Sequence, residues 1–497
     1  MNQDQPKDPK ALAQTSEVFN HYLPLLAAAL FAAMYFITAL PRIFYPYDLD
    51  FIEDSILMQA WRFAQGQIVY GPPTADFIPH VYMPVYMWLG GGLINLFGLS
   101  LMPLRLLSFA ATLATTGLVF YITRRESNQT WLAWVCAGLY LGGYRLSGFW
   151  YELARVDSLF VALSLGGLTL GIYVNGSVSK RIAAIFLLVL AFFTKQTALA
   201  FGACLIFYWW FEQRWQVLKW VALYAGLGLG AFYLVDQSTQ HWFTYYVFNS
   251  AAGDPVEAGR VFRYIGLELF GVMLGLSALG VATGWQVGRR FGVGGLRREG
   301  WLLALGAAVV ISGAGRASVG GNLNNLMPVY ALLCLTPALF WKAWITESDW
   351  KRVAIATAVL IQFALGVYNP QRYIPTAEMQ ASGDRLVERI RSIKGEVLVL
   401  MHPYYAVLAG KAPSVQIIFI WYDFYWQGRP PPPDLTARIQ TRYYTAIISD
   451  ESVFEIDPLI QQLLLDHYVV SEKLPLDESP LSPVGLAVRP TLIYIPK

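Results

Sequence analysis

Charge is scarce in this sequence. Asp, Glu, Lys and Arg make up 14% of its 497 residues, and 56% are hydrophobic; an ordinary soluble domain is nearer a quarter charged. That deficit excludes a plain water-soluble domain and calls for apolar stretches that never meet water. Cysteine is scarcer still, at 3 residues. Cys136, Cys204 and Cys334 each sit inside an apolar run, so they read as packing residues rather than as a C-x-x-C pair or a disulfide framework. Strict alternation of apolar and polar residues, the mark of a lipid-facing barrel, is missing. So are a Walker loop, H-E-x-x-H, G-x-S-x-G and a dinucleotide fingerprint, which leaves ATP-driven transport and the common hydrolase chemistries without support. The net charge of +3 implies no acidic or nucleic-acid partner.

What the chain does contain, from His21 onward, is a series of apolar runs suited to crossing ~30 Å of hydrocarbon. Helices are the expected form, because a helix satisfies its own backbone in lipid. The predicted spans are Tyr22–Leu40, Leu104–Thr123, Trp131–Phe149, Ser158–Val174, Ile182–Phe193 and Thr197–Trp210. Val217–Val235, Tyr264–Val287, Trp301–Gly315, Leu323–Trp341 and Val353–Tyr368 follow, a total of about eleven. An odd number puts the termini on opposite sides. The first 20 residues are polar and show no cleavage site, so the first run is expected to be a retained helix. Arg124 and Arg125, Lys180 and Arg181, Arg214 and Lys219, the Arg289/Arg290/Arg297/Arg298 cluster and Lys342/Lys351/Arg352 fall in alternate short loops. Those loops and the N-terminus belong in the cytoplasm, which makes this a multi-pass protein of the inner (plasma) membrane.

The outward segments are then 42–103, 236–263, 316–322 and everything after Tyr368. Within the first, Tyr82–Phe97 is apolar but interrupted by Pro84 and Gly90 to Gly92. It reads as an interfacial helix, since a span there would carry Arg124 and Arg125 outside. The tail is richer in charge. Glu396–Met401, Val415–Ile420, Tyr444–Ser449 and Leu492–Ile495 look like short buried strands, with helical patterns at Ala377–Ile393 and Pro458–Leu465. The expected architecture is an α-helical polytopic membrane domain, 1–371, followed by a small extracytoplasmic α/β domain, 372–497.

Chemistry concentrates on that outward side. Asp48, Asp50, Glu53 and Asp54 place four carboxylates within seven residues just past the first helix. Such a cluster can supply a base or hold a divalent cation, although Asp54 or Ser55 can equally cap the helix that follows. Asp48, Asp50 and Glu53 are the residues that would hold such an ion; whether a metal is required stays open. Arg155 and Asp157, Lys195, and Arg316 stand at the outer ends of apolar helices, where ionisable groups are expensive and tend to be functional. The competing account is an Arg155–Asp157 pair that only fixes helix packing. Three outward turns that each offer a cation near membrane level suit a lipid-anchored phosphate, with a carboxylate to activate the acceptor. His80 can serve as a ligand or a proton carrier, or be structural.

At these residues the chain resembles the C-type glycosyltransferase superfamily, within it the bacterial relatives of protein O-mannosyltransferases and lipid A aminoarabinose transferases. The landmarks are the acidic first loop with Ala60, Gly66 and Tyr70, then Tyr82-x-Pro84-x-Tyr86 and Arg105-Leu106-Leu107-Ser108. Arg155-Val156-Asp157, Thr194-Lys195-Gln196-Thr197, and Gly320-Gly321-Asn322 with Asn325 complete the series. The resemblance covers about residues 20 to 370. It implies the C-type fold and transfer of a sugar from a polyprenyl-phosphate donor to a lipid, glycan or protein acceptor on the outer face. It implies Glu53 as base, with Asp50 its closest competitor, and Arg155, Lys195 and Arg316 at the donor phosphate. Asp157, His80, Tyr82, Asn322 and Asn325 would line the substrate site. The family's Asp-Glu pair is Ile52-Glu53 here, which keeps open a silent relative serving as a membrane-complex subunit. A lipid-linked saccharide transporter is the third reading, but its polar path would run through the helix middles.

Overall fold

The computed structural model describes residues 17–250, 255–344, 349–425, 427–451 and 458–497. Most of the chain forms a bundle of apolar helices whose ends follow local signals. Met102–Ser127 begins with a proline in its first turn and closes on Asn128 in the left-handed conformation, φ 55°. Val178–Phe192 starts on Ser177, whose side chain accepts the Lys180 N–H. Small residues allow close helix contact. A Cβ on Gly138 would lie 2.4 Å from the Ala28 Cβ, so Thr130–Gly142 packs almost backbone to backbone on Leu23–Ile43.

Among the described residues, six helices are long and apolar enough to cross a membrane: Val18–Ile43, Met102–Ser127, Gln196–Ser238, Gly300–Ala317, Leu323–Ala343 and Trp350–Arg372. Shorter apolar helices add to them at Val85–Phe97, Thr130–Gly142 and Asp157–Ile172. The 43 residues of Gln196–Ser238 would extend ~65 Å as one helix, twice a single crossing. The stretch breaks at Arg214, φ 52°, into Leu199–Gln213 and Leu218–Ser238. The protein is a multi-pass membrane protein.

Two expected spans are not single helices: Trp131–Phe149 is helical only to Gly142, where the chain turns into a loop. Tyr264–Val287 turns through 95° between Ala258–Val272 and Leu274–Gly292. Met273 leaves the helical register there (φ −108°, ψ 24°), and the Ser277 hydroxyl donates to the Leu269 carbonyl at 2.8 Å across the bend. At the end of the bundle remote from the acidic loop, Lys342 Nζ lies 3.0 Å from Glu126 and 3.1 Å from Glu299. Tyr173 donates to the same Glu126 at 2.6 Å. The loops that carry Arg124, Arg125 and Lys342 therefore share one end, as the charge pattern requires.

Between the first two long spans, Ile52–Ala64 and Val85–Phe97 form a helical hairpin. Gly90 and Gly91 are its seat: a Cβ on Gly91 would lie 2.8 Å from the Ala60 carbonyl oxygen, and one on Gly90 3.3 Å from the Ala60 Cβ. The glycines that interrupt the apolar run thus serve helix contact. Trp88, Leu89, Leu96 and Phe97 remain exposed on the other face, the face an interfacial helix turns toward lipid.

The C-terminal residues build a sheet of β1 (Val397–Val399), β2 (Ala446–Asp450), β3 (Tyr468–Lys473) and β4 (Pro490–Pro496), in the order β1-β2-β4-β3. β1 and β2 are parallel and the other pairs antiparallel. Ala377–Ser392 begins on Thr376, whose hydroxyl accepts the Met379 N–H. The expected strand at Val415–Ile420 is instead a turn of helix, Ile417–Ile420. Its Ile417 N–H donates to the Leu400 carbonyl, and the Gln416 amide holds the Phe51 and Met401 carbonyls, so no ladder can form. β3 lies at the sheet edge with only Tyr468 buried, which is why it lacks the apolar signature of its neighbours.

Candidate active site

The four clustered carboxylates point to different partners. Glu53 is fully buried and accepts four hydrogen bonds. Oε1 takes Arg105 Nε at 2.8 Å and the Ala154 N–H at 2.7 Å; Oε2 takes the Leu49 N–H at 2.8 Å and Arg105 Nη2 at 2.6 Å. A carboxylate offers about four lone-pair sites, so Glu53 has none left for a substrate. The same Arg105 also donates to the carbonyls of Arg42, Tyr45 and Tyr47. Together the pair fastens the loop to the helix behind it.

Asp50 is arranged differently. Its Oδ1 accepts the Ile52 N–H at 2.9 Å and Arg155 Nη1 at 3.0 Å. Oδ2 has no hydrogen-bond partner among the described residues, and lies against Gly485, where a Cβ would come within 2.5 Å. Burial raises the Asp50 pKa to about 6, against the pull of Arg155.

Arg155 comes from the 143–156 loop, in which Gly148 and Phe149 are both left-handed, φ 75° and 63°. The Arg42 guanidinium holds the Phe149 carbonyl at 2.9 Å, and its Nε lies 2.9 Å from Glu152. A strained non-glycine residue kept in place by a buried ion pair is a built feature of this loop. Arg155 stacks over Trp150 at 4.7 Å and donates to the Tyr82 hydroxyl at 3.2 Å. Arg155 Nε and Trp150 Nε1 are buried donors without acceptors. Lys195 Nζ lies 2.7 Å from Asp157 and 3.1 Å from the Asn325 side-chain oxygen, and Asn324 donates to the same Asp157 oxygen at 3.1 Å.

The structure therefore gathers Asp50, Arg155, Tyr82, Asp157, Lys195 and Asn325. His80 is beside them, stacked on Tyr82 with centroids 4.0 Å apart. Burial and the nearby Arg155 push its pKa well below the usual range, so it is neutral. Arg316 and Asn322 have other partners. Arg316 spends its guanidinium on Glu268, at 2.6 Å and 3.0 Å, and on the Gly321 carbonyl. The Asn322 side chain accepts the Leu323 N–H at 2.8 Å.

Asp48, Asp50 and Glu53 do not converge on one ion position, because Glu53 and Asp50 each turn to an arginine. Asp48 and Asp54 face the C-terminal domain instead. Asp48 accepts from the Ser482 hydroxyl, and Asp54 from the Tyr404 N–H at 3.3 Å. His402 Nδ1 lies 3.2 Å from Asp48, and its Nε2 3.2 Å from Asp450. Among the described residues, Asp48, Asp54 and His402 have ligand atoms all within 4.8 Å of one another. Although burial pulls it down, Asp48 and Asp450 raise the His402 pKa well above normal. Burial and Asp48 push Asp54 up. His402 follows β1 and Asp450 ends β2, so both stand at the carboxyl ends of parallel strands, where open α/β sheets place their ligands. Sequence reasoning missed both, along with Trp150 and Asn324. The strand-end position was the available signal; no local motif marks them.

No protein-family model and no curated protein sequence matches the chain. Solved structures do. ArnT from Cupriavidus metallidurans bound to undecaprenyl phosphate superposes with a TM-score of 0.56 at 13% identity, over 94% of this chain and 97% of that one. The oligosaccharyltransferase AglB from Archaeoglobus fulgidus, in complex with an inhibitory peptide and a dolichol-phosphate, gives 0.51 at 11% identity, over 87% and 70%. The Archaeoglobus fulgidus oligosaccharyltransferase complex with Zn and sulfate gives 0.53 at 11% identity, over 90% and 71%. At such identity the likeness is one of fold, and the chain has the C-type glycosyltransferase fold that its sequence landmarks resemble.

Proposed function

We propose that this protein is a membrane glycosyltransferase that takes a sugar from a polyprenyl-phosphate donor on the extracytoplasmic face, with Asp50 as base. The observation that carries the reading is the pairing of a carboxylate and a guanidinium that are each half-satisfied. Asp50 keeps one oxygen unbonded and a pKa of about 6, while the buried Nε of Arg155 beside it makes no hydrogen bond and lies 4.0 Å from Asp157 Oδ2. Asp50 accepts the proton of the acceptor hydroxyl or amine as that atom bonds to the anomeric carbon. The carbon–oxygen bond to the carrier breaks, and the phosphate leaves with its charge met by Arg155 and Lys195. Asp157, with Asn324 and Asn325, holds Lys195 in place. Undecaprenyl phosphate and dolichol-phosphate in the structural neighbours support a lipid phosphate as the carrier.

Glu53, in this reading, is a positioning residue and not the base. Arg316 likewise positions the helix bend through Glu268. A cleft of about 520 Å³ opens between the Ile52–Ala64 helix and the sheet, lined by Met58, Trp61, Arg62, Asp76, Arg438 and Tyr443 but not by Asp50 or Arg155; in this reading it holds the part of the acceptor distal to the reacting atom. Aromatic rings among charged groups suit a saccharide or other polar acceptor. The test is transfer of labelled sugar from a polyprenyl-phosphate donor pool in proteoliposomes, wild type against Asp50→Asn. Transfer by wild type and none by a folded variant supports the reading; equal transfer by both ends it.

A further inference from the structure

Where the C-terminal sheet meets the acidic loop, carboxylates outnumber the cations that face them. Five other buried acids each face a guanidinium or an ammonium. Glu53 has Arg105, Asp50 has Arg155, Asp157 has Lys195, Glu152 has Arg42 and Glu268 has Arg316. Asp48, Asp54 and Asp450 share only the imidazole of His402 among the described residues. None of the four is more than 2% exposed. Asp48 Oδ1, Asp54 Oδ1, Asp450 Oδ1 and His402 Nδ1 are buried and make no hydrogen bond. Burying uncompensated charge and orphaned polar atoms together is among the costliest arrangements a fold can carry.

The orientation of the imidazole indicates what compensates. His402 Nε2 lies 3.2 Å from Asp450 Oδ2, the carboxylate–histidine contact that fixes a ring with its N–H on the far nitrogen and its lone pair toward a metal. That lone pair, on Nδ1, faces Asp48 Oδ2 at 3.2 Å. A proton or a cation must therefore lie between the two atoms, and a divalent cation that binds there takes the proton's place. The spacing is close to the ~3.3 Å edge of a tetrahedron of N and O ligands around Zn²⁺. We propose that Asp48, Asp54 and His402 Nδ1 bind a divalent cation of the zinc class, which fastens the C-terminal sheet to the acidic loop. Two carboxylates and a neutral imidazole balance the ion's charge, with Asp450 in the outer shell. The imidazole favours a borderline transition ion over Mg²⁺ or Ca²⁺, which take oxygen ligands. The ion acts on position: Asp48 is two residues from Asp50, so the metal holds the loop in register without touching the bonds that change. This inference does not rest on the transferase reading, because it is measured without turnover.

The experiment uses the purified full-length chain, stripped with EDTA, reloaded with Zn²⁺ and desalted. One zinc per chain is expected by elemental analysis, with an unfolding temperature that falls by several degrees on stripping and returns on reloading. His402→Gln and Asp54→Asn should hold none. Asp450→Asn should bind one zinc at saturation, with affinity lowered about 10- to 100-fold. A wild-type protein that retains no zinc and unfolds at the same temperature with and without it overturns the proposal. So does His402→Gln binding zinc as tightly as wild type. If the variants do not fold, the strip-and-reload measurement on wild type decides alone.

Discussion

Exchanging each of two neighbouring carboxylates for its amide separates a base from a structural anchor. In Glu53→Gln, whichever way the amide turns, its nitrogen meets two donors: Arg105 Nε and the Ala154 N–H, or Arg105 Nη2 and the Leu49 N–H. Arg105 is also left without its anion while fully buried. Removing one partner of a buried pair costs about 3–5 kcal/mol, a large share of a typical stability of about 5–15 kcal/mol. Asp50→Asn keeps an oxygen for the Ile52 N–H and Arg155, and its nitrogen occupies the position of the unbonded Oδ2. Arg155 loses one anion but keeps Asp157 at 4.0 Å, so less stability is lost than in Glu53→Gln. Losing a general base lowers the rate about 10²- to 10⁴-fold. The assay measures thermal unfolding of both variants in detergent, and sugar transfer per folded molecule in proteoliposomes. Asp50→Asn should unfold closer to wild type than Glu53→Gln does and transfer at a hundredth of the wild-type rate or less. Glu53→Gln should lose stability first, with activity falling in step with the folded fraction. If Glu53→Gln instead folds like wild type and is inactive while Asp50→Asn transfers, Glu53 is the base and the argument from its filled lone pairs is wrong.

The pH dependence follows from the raised Asp50 pKa of about 6. A base works deprotonated, so transfer should rise with pH through about 6, and an acid limb lying near the usual carboxylate range instead would contradict the assignment. Lys195→Met removes a charged donor worth about 1.5–3 kcal/mol, so donor KM should rise about 10- to 150-fold with a smaller change in kcat; an unchanged KM would take Lys195 away from the phosphate. Trp61→Ala should raise acceptor KM and leave donor KM alone, and the reverse pattern would show that the cleft serves the carrier. Arg316→Lys cannot make the bidentate contact to Glu268, so thermal stability should drop while donor KM holds. A donor KM that rises without loss of stability would return Arg316 to the phosphate site.

How much of this was legible in the sequence depends on how local each signal is. The helices were readable because a span must be apolar over its whole length, and because alternating Lys and Arg sort the loops to two ends; Lys342 meeting Glu126 and Glu299 is that sorting made physical. The bend at Met273 was not readable, since neither a proline nor a glycine stands at the break itself. Carboxylates could be found but not ranked. Asp50 and Glu53 are three residues apart and chemically alike; what distinguishes them is that Arg105 lies 52 residues from Glu53 and Arg155 lies 105 residues from Asp50. The His402 cluster is the extreme case. It joins Asp48 and Asp54 to residues some 350 and 400 positions away, and His402 has no ligand-like neighbour in sequence. A partner brought by tertiary folding leaves no periodicity and no spacing to read. Charge accounting in the folded chain finds it, because a buried carboxylate without a cation has a cost that some group or ion must offset.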